Sequence, residues 1–348
     1  MVTIGIDPHK QTHSAVAVNE LGSELAARTV TAKRDGFGEL LKWARQIDRD
    51  LVWVLEDCRH VSGPLERFLL DHGQTVVRLP PAMMSGARQS VRERGKSDPI
   101  DALAVARAAL REGIDRLPTA RLAGPELEIR QLVVHRQRLI DARTRLINEL
   151  RWQLHDLWPD WEIPPRALTG PVWQRRVSAR LQRAEPTVRV RIARDEIRRI
   201  KDLTRTITEL SDELGGLVRQ VAPQLLAERG LGVITAAKLI AEIAGVDRFK
   251  SDAQLARTAG CAPIPVSSGR TDRHRLDRGG NRQLNHAFYM LAISKLIHDP
   301  ETAAYLARQR ARGKTQRDAI RSLKRHLVRR IYRLLTDPSA IPQAVCLT

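Results

Sequence analysis

Four carboxylates and one serine-bearing loop hold most of the chemical potential of this sequence. Asp7 closes an apolar run, VTIGID (2–7), and Glu56 closes another, DLVWVLE (50–56). Runs of this kind suit strands buried on both faces. A carboxylate at the end of such a strand is costly unless it is hydrated, paired or bound to a cation. Open sheets place their ligand sites at those same carboxyl ends. Asp98 and Asp101 stand three apart at the start of a helix-like segment, DPIDALAVARAALREG (98–113), so both can project from one face. Carboxylates that close repel each other, and a divalent cation relieves the repulsion. All-oxygen ligation suits magnesium, with manganese as the alternative. Two such ions about 4 Å apart can stabilise both the attacking and the leaving oxygen of a phosphodiester. A plainer reading stands beside this one: Asp98 is a good helix N-cap, Asp101 can pair with Arg107 or Lys96, and Glu56 with Arg59.

Ser267 and Ser268 precede Gly269 in the loop CAPIPVSSGRTDRHRLDRGG (261–280), which also carries Arg270, Arg273, His274, Arg275 and Arg278. A serine hydroxyl can attack a phosphodiester if arginines neutralise the charge that develops. Equally, the serines can be turn residues in a solvated loop whose arginines touch a nucleic-acid backbone. Spacing gives no Ser-His-Asp triad, since triads are assembled in space rather than along the chain. Gly230 and Gly232 open a further apolar helix, RGLGVITAAKLIAEIAG (229–245), whose first turn can offer backbone N–H groups to a phosphate or simply start the helix.

The elements that must position these groups divide the chain in three. Residues 1–118 read as α/β. Three strand-like stretches (2–7, 14–19, 25–32) are followed by a helix over 37–47, a strand over 50–56, a helix over 64–72 and a strand over 74–79. This order fits a sheet that mixes an antiparallel meander with parallel crossovers, covered by helices. Residues 119–222 are helical, with one long pattern over 126–157 and, after a Pro-rich break over 158–171, another. In the second, Ile200, Leu203, Ile207, Leu210, Leu214, Leu217 and Val221 alternate spacings of three and four, as a coiled-coil seam does. Such a seam serves two helices packed within one chain as well as it serves a dimer. Residues 223–348 read as an all-α domain with helices over 229–245, 253–260, 281–297 and 315–335 around the serine loop.

Composition limits the partners. Lys+Arg number 59 against 40 Asp+Glu, a formal net charge of +19. Arginine dominates, which favours planar bidentate contact with phosphate, so nucleic acid is the first partner to consider. No apolar stretch approaches the ~18 residues needed to span a bilayer. The first residues, MVTIGIDPHK, lack the layout of a signal peptide, and Cys58, Cys261 and Cys346 have no zinc or disulfide spacing. The expectation is a cytoplasmic protein bound to nucleic acid, with no membrane partner.

IGID with Lys10 just after it, VLED (54–57), KSDPIDALAVA (96–106) and APIPVSSG (262–269) together resemble the DEDD transposases of bacterial insertion sequences, the insertion-sequence 110 family. The resemblance covers nearly the whole chain, in order. It implies a ribonuclease-H-like, RuvC-type N-terminal domain, a mixed sheet with helices on both faces, joined by a long helical coiled coil to an all-α C-terminal transposase domain. It places the acidic tetrad on Asp7, Glu56, Asp98 and Asp101, with magnesium or manganese as cofactor. The nucleophilic serine falls on Ser268. The family commonly has an acidic residue just before that serine, and Ser267 stands there in this chain. The strand that supplies the glutamate is usually followed by Thr-Gly, replaced here by Asp57-Cys58-Arg59. The implied activity is excision and insertion of an element through a phosphoserine link. The implied partners are donor and target DNA, a structured guide RNA (bridge RNA) encoded beside the gene, and further copies of the chain in a dimer or tetramer. Arg270, Arg273, Arg278 and Arg282 are the candidate nucleic-acid contacts. Two rivals share the composition. One is a Holliday-junction resolvase or related nuclease acting through the acids alone; the other is a non-catalytic nucleic-acid-binding protein.

Overall fold

The computed structural model describes residues 1–56, 59–79, 97–117, 119, 124–266, 274–275, 277, 279–337 and 339, with backbone alone at 59, 60 and 274. The described chain forms two compact units. One holds Met1–Gly124, Ala227–Leu231 and Glu242–Thr348, the other Pro125–Leu226 and Gly232–Ala241.

The first unit begins with a five-stranded sheet. Strands β1 (Val2–Pro8), β2 (Thr12–Val18), β3 (Glu24–Thr31), β4 (Leu51–Glu56) and β5 (Thr75–Leu79) lie in the order β3-β2-β1-β4-β5. β1 runs antiparallel to β2, and β2 to β3, whereas β4 is parallel to both β1 and β5. The meander and the crossovers expected from the order of elements are both present, and so is the α/β N-terminal domain.

Side-chain alternation sends the strand residues to opposite faces. Ile4, Ile6, Trp53, Leu55 and Val76 join Leu40, Leu41, Leu65 and Leu69 in one core, under helices α1 (Arg34–Ile47) and α2 (Arg59–Asp71). Val52, Val54, Val77 and Leu79 pack on the other face against Ala104, Val105, Ala108 and Ala109 of α3 (Asp98–Glu112). Alanines along this helix let its backbone approach the sheet closely. Gly5 completes that approach: a Cβ there would stand 2.6 Å from the backbone nitrogen of Ala106, and closer still to the carbonyl oxygen of Ala102.

One detail of α3 differs from the sequence reading. The helix starts at Asp98, with Ser97 in the cap position, rather than at an Asp98 cap. The segment still enters the helix through a proline at its N-terminus, as Pro99 predicts. The Asp98 carboxylate is therefore not spent on orphan backbone amides.

The second unit is built on α4 (Pro125–Leu157), α5 (Pro171–Arg183) and α6 (Val188–Val221). Within the chain, α4 and α6 pack antiparallel. Arg136 Nε donates to Ser211 Oγ at 2.8 Å, Arg143 Nη1 to Thr204 Oγ1 at 3.2 Å, and Gln153 Nε2 to Glu196 Oε1 at 2.8 Å. Along α6, Ile200, Ile207 and Leu214 are buried, and Leu203, Leu210 and Leu217 are half-buried. Helix α5, absent from the sequence reading, follows Gly170 with Pro171 at its start and buries Val177 and Leu181 in the same core as Ile197 and Ile200. Beside it the Arg180 guanidinium lies 4.4 Å from the ring centres of both Trp158 and Trp161.

Helix α7 (Val233–Ile243) precedes α8 (Asp252–Thr258), α9 (Arg282–His298), α10 (Pro300–Ala311) and α11 (Gln316–Thr336). Among the described residues the last third also holds a two-stranded ribbon, which an all-helical reading does not include, pairing β6 (Ile264–Pro265) with β7 (His274–Arg275). A buried ionic cluster fixes the turn before α7. Lys295 Nζ donates to Glu228 Oε1 at 2.7 Å, and Arg330 Nε to Glu228 Oε2 at 3.0 Å. Among the described residues no helix is long and apolar enough to cross a membrane.

Candidate active site

The carboxyl ends of β1 and β4 lie side by side, and α3 starts over the same face. Gly5 and Asp7 alternate with Ile4 and Ile6, so they face α3 rather than the α1/α2 core. Ile6 pairs with Leu55 in the parallel ladder, which sets Glu56 level with Asp7 one residue further on, facing the same way as Val54. Because Ala102 packs on Gly5, the first turn of α3 is carried to this end of the sheet, and with it Asp98 and Asp101. Strand alternation, a parallel pairing and one close glycine contact thus gather acids that lie more than ninety residues apart in the chain.

The gathering is closest at Asp7 and Asp98, with His9 between them. His9 Nε2 lies 3.0 Å from Asp7 Oδ2 and 3.4 Å from Asp98 Oδ1. The three potential ligand atoms all fall within 4.8 Å of one another. Asp7 is buried, whereas His9 and Asp98 are half open to solvent. Burial pushes the Asp7 carboxyl above the usual carboxylate range. His9 opposes that rise, and the negative charges of Asp101 and Asp98 add to it. Asp101 is therefore close enough to act on Asp7, although it stands outside the tight Asp7–His9–Asp98 group, as does Glu56.

His9 is a functional candidate that the sequence reading does not single out. Its position comes from the β1–β2 turn, where His9 N donates to the Thr12 carbonyl at 2.9 Å. The available signal is spacing: in an extended strand a residue two beyond Asp7 falls on the same face. The donor set suits a divalent cation chemically. Two carboxylate oxygens and an imidazole nitrogen converge with solvent access, and a third acid bears on them.

Ser267, Ser268, Arg270, Arg273 and Arg278 lie outside the described residues. Arg282 is described, exposed at the start of α9. What the structure gives is the stem from which the serine loop springs. Gly260 and Gly280 are packed so tightly that a Cβ on Gly280 would lie 2.9 Å from the Ala259 carbonyl carbon, and closer to Gly260 itself. Asn281 N donates to the Thr258 carbonyl at 2.6 Å, tying the two sides of the stem together. Asn285 Nδ2 donates to the carbonyls of Ala259 and Gly260 at 2.8 and 2.9 Å, while its Oδ1 accepts from buried Lys324 at 2.8 Å. The described residues on either side of the serine loop, 258–260 and 280–285, are thus packed and hydrogen-bonded to each other.

Comparison with known proteins matches both ends of this arrangement. Residues 4–159 match a family described as a transposase, the DEDD type of IS110 elements, and residues 222–307 match the transposase IS116/IS110/IS902 family. The chain is an IS110-family DEDD transposase. Asp7, Glu56, Asp98 and Asp101 all lie within the first matched region of the transposase, and Ser268 with the loop arginines within the second. An uncharacterized 44.8 kDa protein of insertion element IS116 from Streptomyces clavuligerus is 27% identical to it, over 97% of this chain and 95% of that protein. An uncharacterized 43.6 kDa protein of insertion element IS110 from Streptomyces coelicolor is 40% identical over 119 residues, 34% of this chain and 29% of that one. Among solved structures, RuvC of T. thermophilus in complex with a Holliday junction substrate matches with 16% identity and a TM-score of 0.28, covering 34% of the transposase and 99% of RuvC.

Proposed function

We propose that this transposase cuts and rejoins DNA through two cooperating sites: a divalent-metal site on Asp7, Glu56, Asp98 and Asp101, and a serine nucleophile, Ser268. The observation that carries the reading is the convergence of Asp7 and Asp98 on one point at the carboxyl end of the sheet. Magnesium or manganese bound there would draw charge off a phosphodiester and orient it for in-line attack. The protein's own groups do the rest. Asp7 and Glu56, on adjacent strand ends, fix one side of the site, and Asp98 and Asp101, on the first turn of α3, fix the other. The Ser268 hydroxyl attacks phosphorus, forming an Oγ–P bond while the bond to the departing sugar oxygen breaks. Its proton leaves to solvent or a nearby base, and the departing oxygen takes one up. Rejoining reverses these steps with a different strand end.

Arg270, Arg273, Arg278 and Arg282 would hold backbone phosphates beside the serine, since charge neutralisation supplies most of the affinity for nucleic acid. In the same proposal a structured RNA encoded by the element selects donor and target DNA, and the protein works as a dimer or tetramer in the cytoplasm, associated with the nucleoid. The net charge of +19 suits a load of that size.

The test compares Ser268→Ala, Ser267→Ala and Asp7→Asn on DNA carrying the element's ends, with the RNA that co-purifies. Ser268→Ala is expected to lose both the covalent protein–DNA adduct and strand transfer while retaining DNA binding. Asp7→Asn is expected to lose cleavage. If Ser268→Ala cuts and forms the adduct while Ser267→Ala does not, the nucleophile is Ser267; if both variants still cut and no adduct forms, water is the nucleophile and the protein is a nuclease acting through its acids. If Asp7→Asn changes no activity, the metal-site reading falls. Sequencing the bound RNA tests guidance: a defined transcript of the element supports it, and bulk cellular RNA refutes it.

A further inference from the structure

We propose that His9 is a direct ligand of the divalent cation and sets which metal the site prefers. This rests on reading the acids as a metal site, and goes beyond it by adding a nitrogen to an otherwise all-oxygen set. The argument is geometric. His9 Nε2 points between Asp7 Oδ2 and Asp98 Oδ1, at 3.0 and 3.4 Å, so it faces the same point as the two carboxylates. The β1–β2 turn holds the backbone of His9 in place, with its amide bonded to Thr12. The ring is half exposed, so it can reorient without disturbing the core. Coordination through the Nε2 lone pair, with the ring proton on Nδ1, would replace the contact between Nε2 and Asp7 Oδ2.

An imidazole nitrogen matters for selectivity. Magnesium is a hard ion that keeps to oxygen donors and retains its waters, whereas manganese and the later divalent ions accept imidazole. Replacing one oxygen or water by His9 therefore moves preference from magnesium towards manganese. Among the described residues, His9 is the histidine that joins Asp7 and Asp98 in such a group.

The probe is Mn2+ alone, added to the full-length protein without nucleic acid, and the readout is electron spin-echo modulation from 14N. Wild type is expected to show a directly coordinated nitrogen. His9→Gln is expected to bind Mn2+ without that signal, and to need about ten-fold less Mg2+ to displace it. Mn2+ bound to wild type with no 14N coupling would overturn the assignment of His9 while leaving the carboxylate site intact. Equal Mn2+ binding by wild type and Asp7→Asn would overturn the metal site itself. The decisive spectrum is that of the unmodified protein, so it does not depend on any variant folding.

Discussion

Gly5→Ala is the substitution that separates sheet from helix in assembling the acids. The new methyl would point at α3, 2.6 Å from the Ala106 nitrogen and 2.8 Å from the Ala106 Cβ, and still nearer the Ala102 carbonyl oxygen. Ordinary contact begins at 3.4 Å, so α3 must retreat by about 1 Å. The obstacle is helix backbone rather than the end of a flexible side chain, so a rotamer change cannot relieve it. Overpacking of this kind costs about 1–3 kcal/mol. For a chain of this size that lowers the unfolding midpoint by several degrees, read by thermal unfolding. The functional loss should exceed the loss in stability. Asp101 is adjacent to Ala102, and Asp98 sits one turn before it, so a helix displaced by about 1 Å carries both away from Asp7. Misplacement on that scale costs roughly a hundred-fold in a reaction that depends on alignment. Mn2+ affinity, measured by titration at a temperature where the variant is fully folded, should fall by at least ten-fold. Wild-type affinity in a folded Gly5→Ala protein refutes the argument that contact between α3 and β1 sets the geometry of the site.

Two further predictions concern buried ionisable groups. His13 is buried against Phe37, with ring centres 5.6 Å apart, and burial pushes its pKa down to about 4. The unfolded chain, with an ordinary histidine near 6.5, takes up the proton first as pH falls. Stability is therefore complete above pH 6.5 and lost progressively towards pH 4, by about 3 kcal/mol in all. Urea unfolding of wild type and His13→Phe across that range checks it, and identical pH slopes would contradict it. In the C-terminal part, Glu228→Ala leaves Lys295 and Arg330 facing each other without the carboxylate that both contact. Leaving a buried charge without any partner costs about 3–5 kcal/mol; Lys295 keeps Asp299 at 3.5 Å, so the expected loss is at the lower end of that range or below it, and no measurable loss in urea unfolding would show that the cluster is not a structural anchor.

Much of the N-terminal domain is legible in the chain because its signals are local. β1, β2 and β4 are almost wholly buried, so apolar residues dominate them, and the ends of the apolar stretches in β1 and β4 mark Asp7 and Glu56 by pattern alone. The signals that fail are those that depend on partners. Helix α5 carries only three buried residues and follows a Pro-rich stretch, so its pattern is too thin to stand out from a loop. The ribbon of β6 and β7 has two residues per strand and no periodicity at all. The seam on α6 is plain in sequence, yet its spacing does not name the partner; the structure gives α4, through Arg136, Arg143 and Gln153. His9 escapes notice because one histidine beside an aspartate is common, and only the turn to Thr12 and the arrival of α3 give it neighbours.

The acids at the sheet end work against the fold. Asp7 is buried, and two further carboxylates act on it, so its ionised form is disfavoured there relative to the unfolded chain. A carboxyl whose pKa is raised by folding destabilises the native state at every pH above that raised value. At neutral pH the clustered acids are thus a source of strain, offset by burial of Ile4, Ile6, Trp53 and Leu55 on the opposite face and by the alanine packing of α3. A cation bound there, as proposed, would reverse the sign of that contribution by compensating the buried charge of Asp7 and the repulsion from its neighbours, and binding to the native state alone would raise stability by mass action. The same tight contact at Gly5 that carries Asp98 and Asp101 to Asp7 is therefore what creates the repulsion. If the proposed metal site is right, the sheet and α3 must hold the acids together through apolar burial without help from a cation.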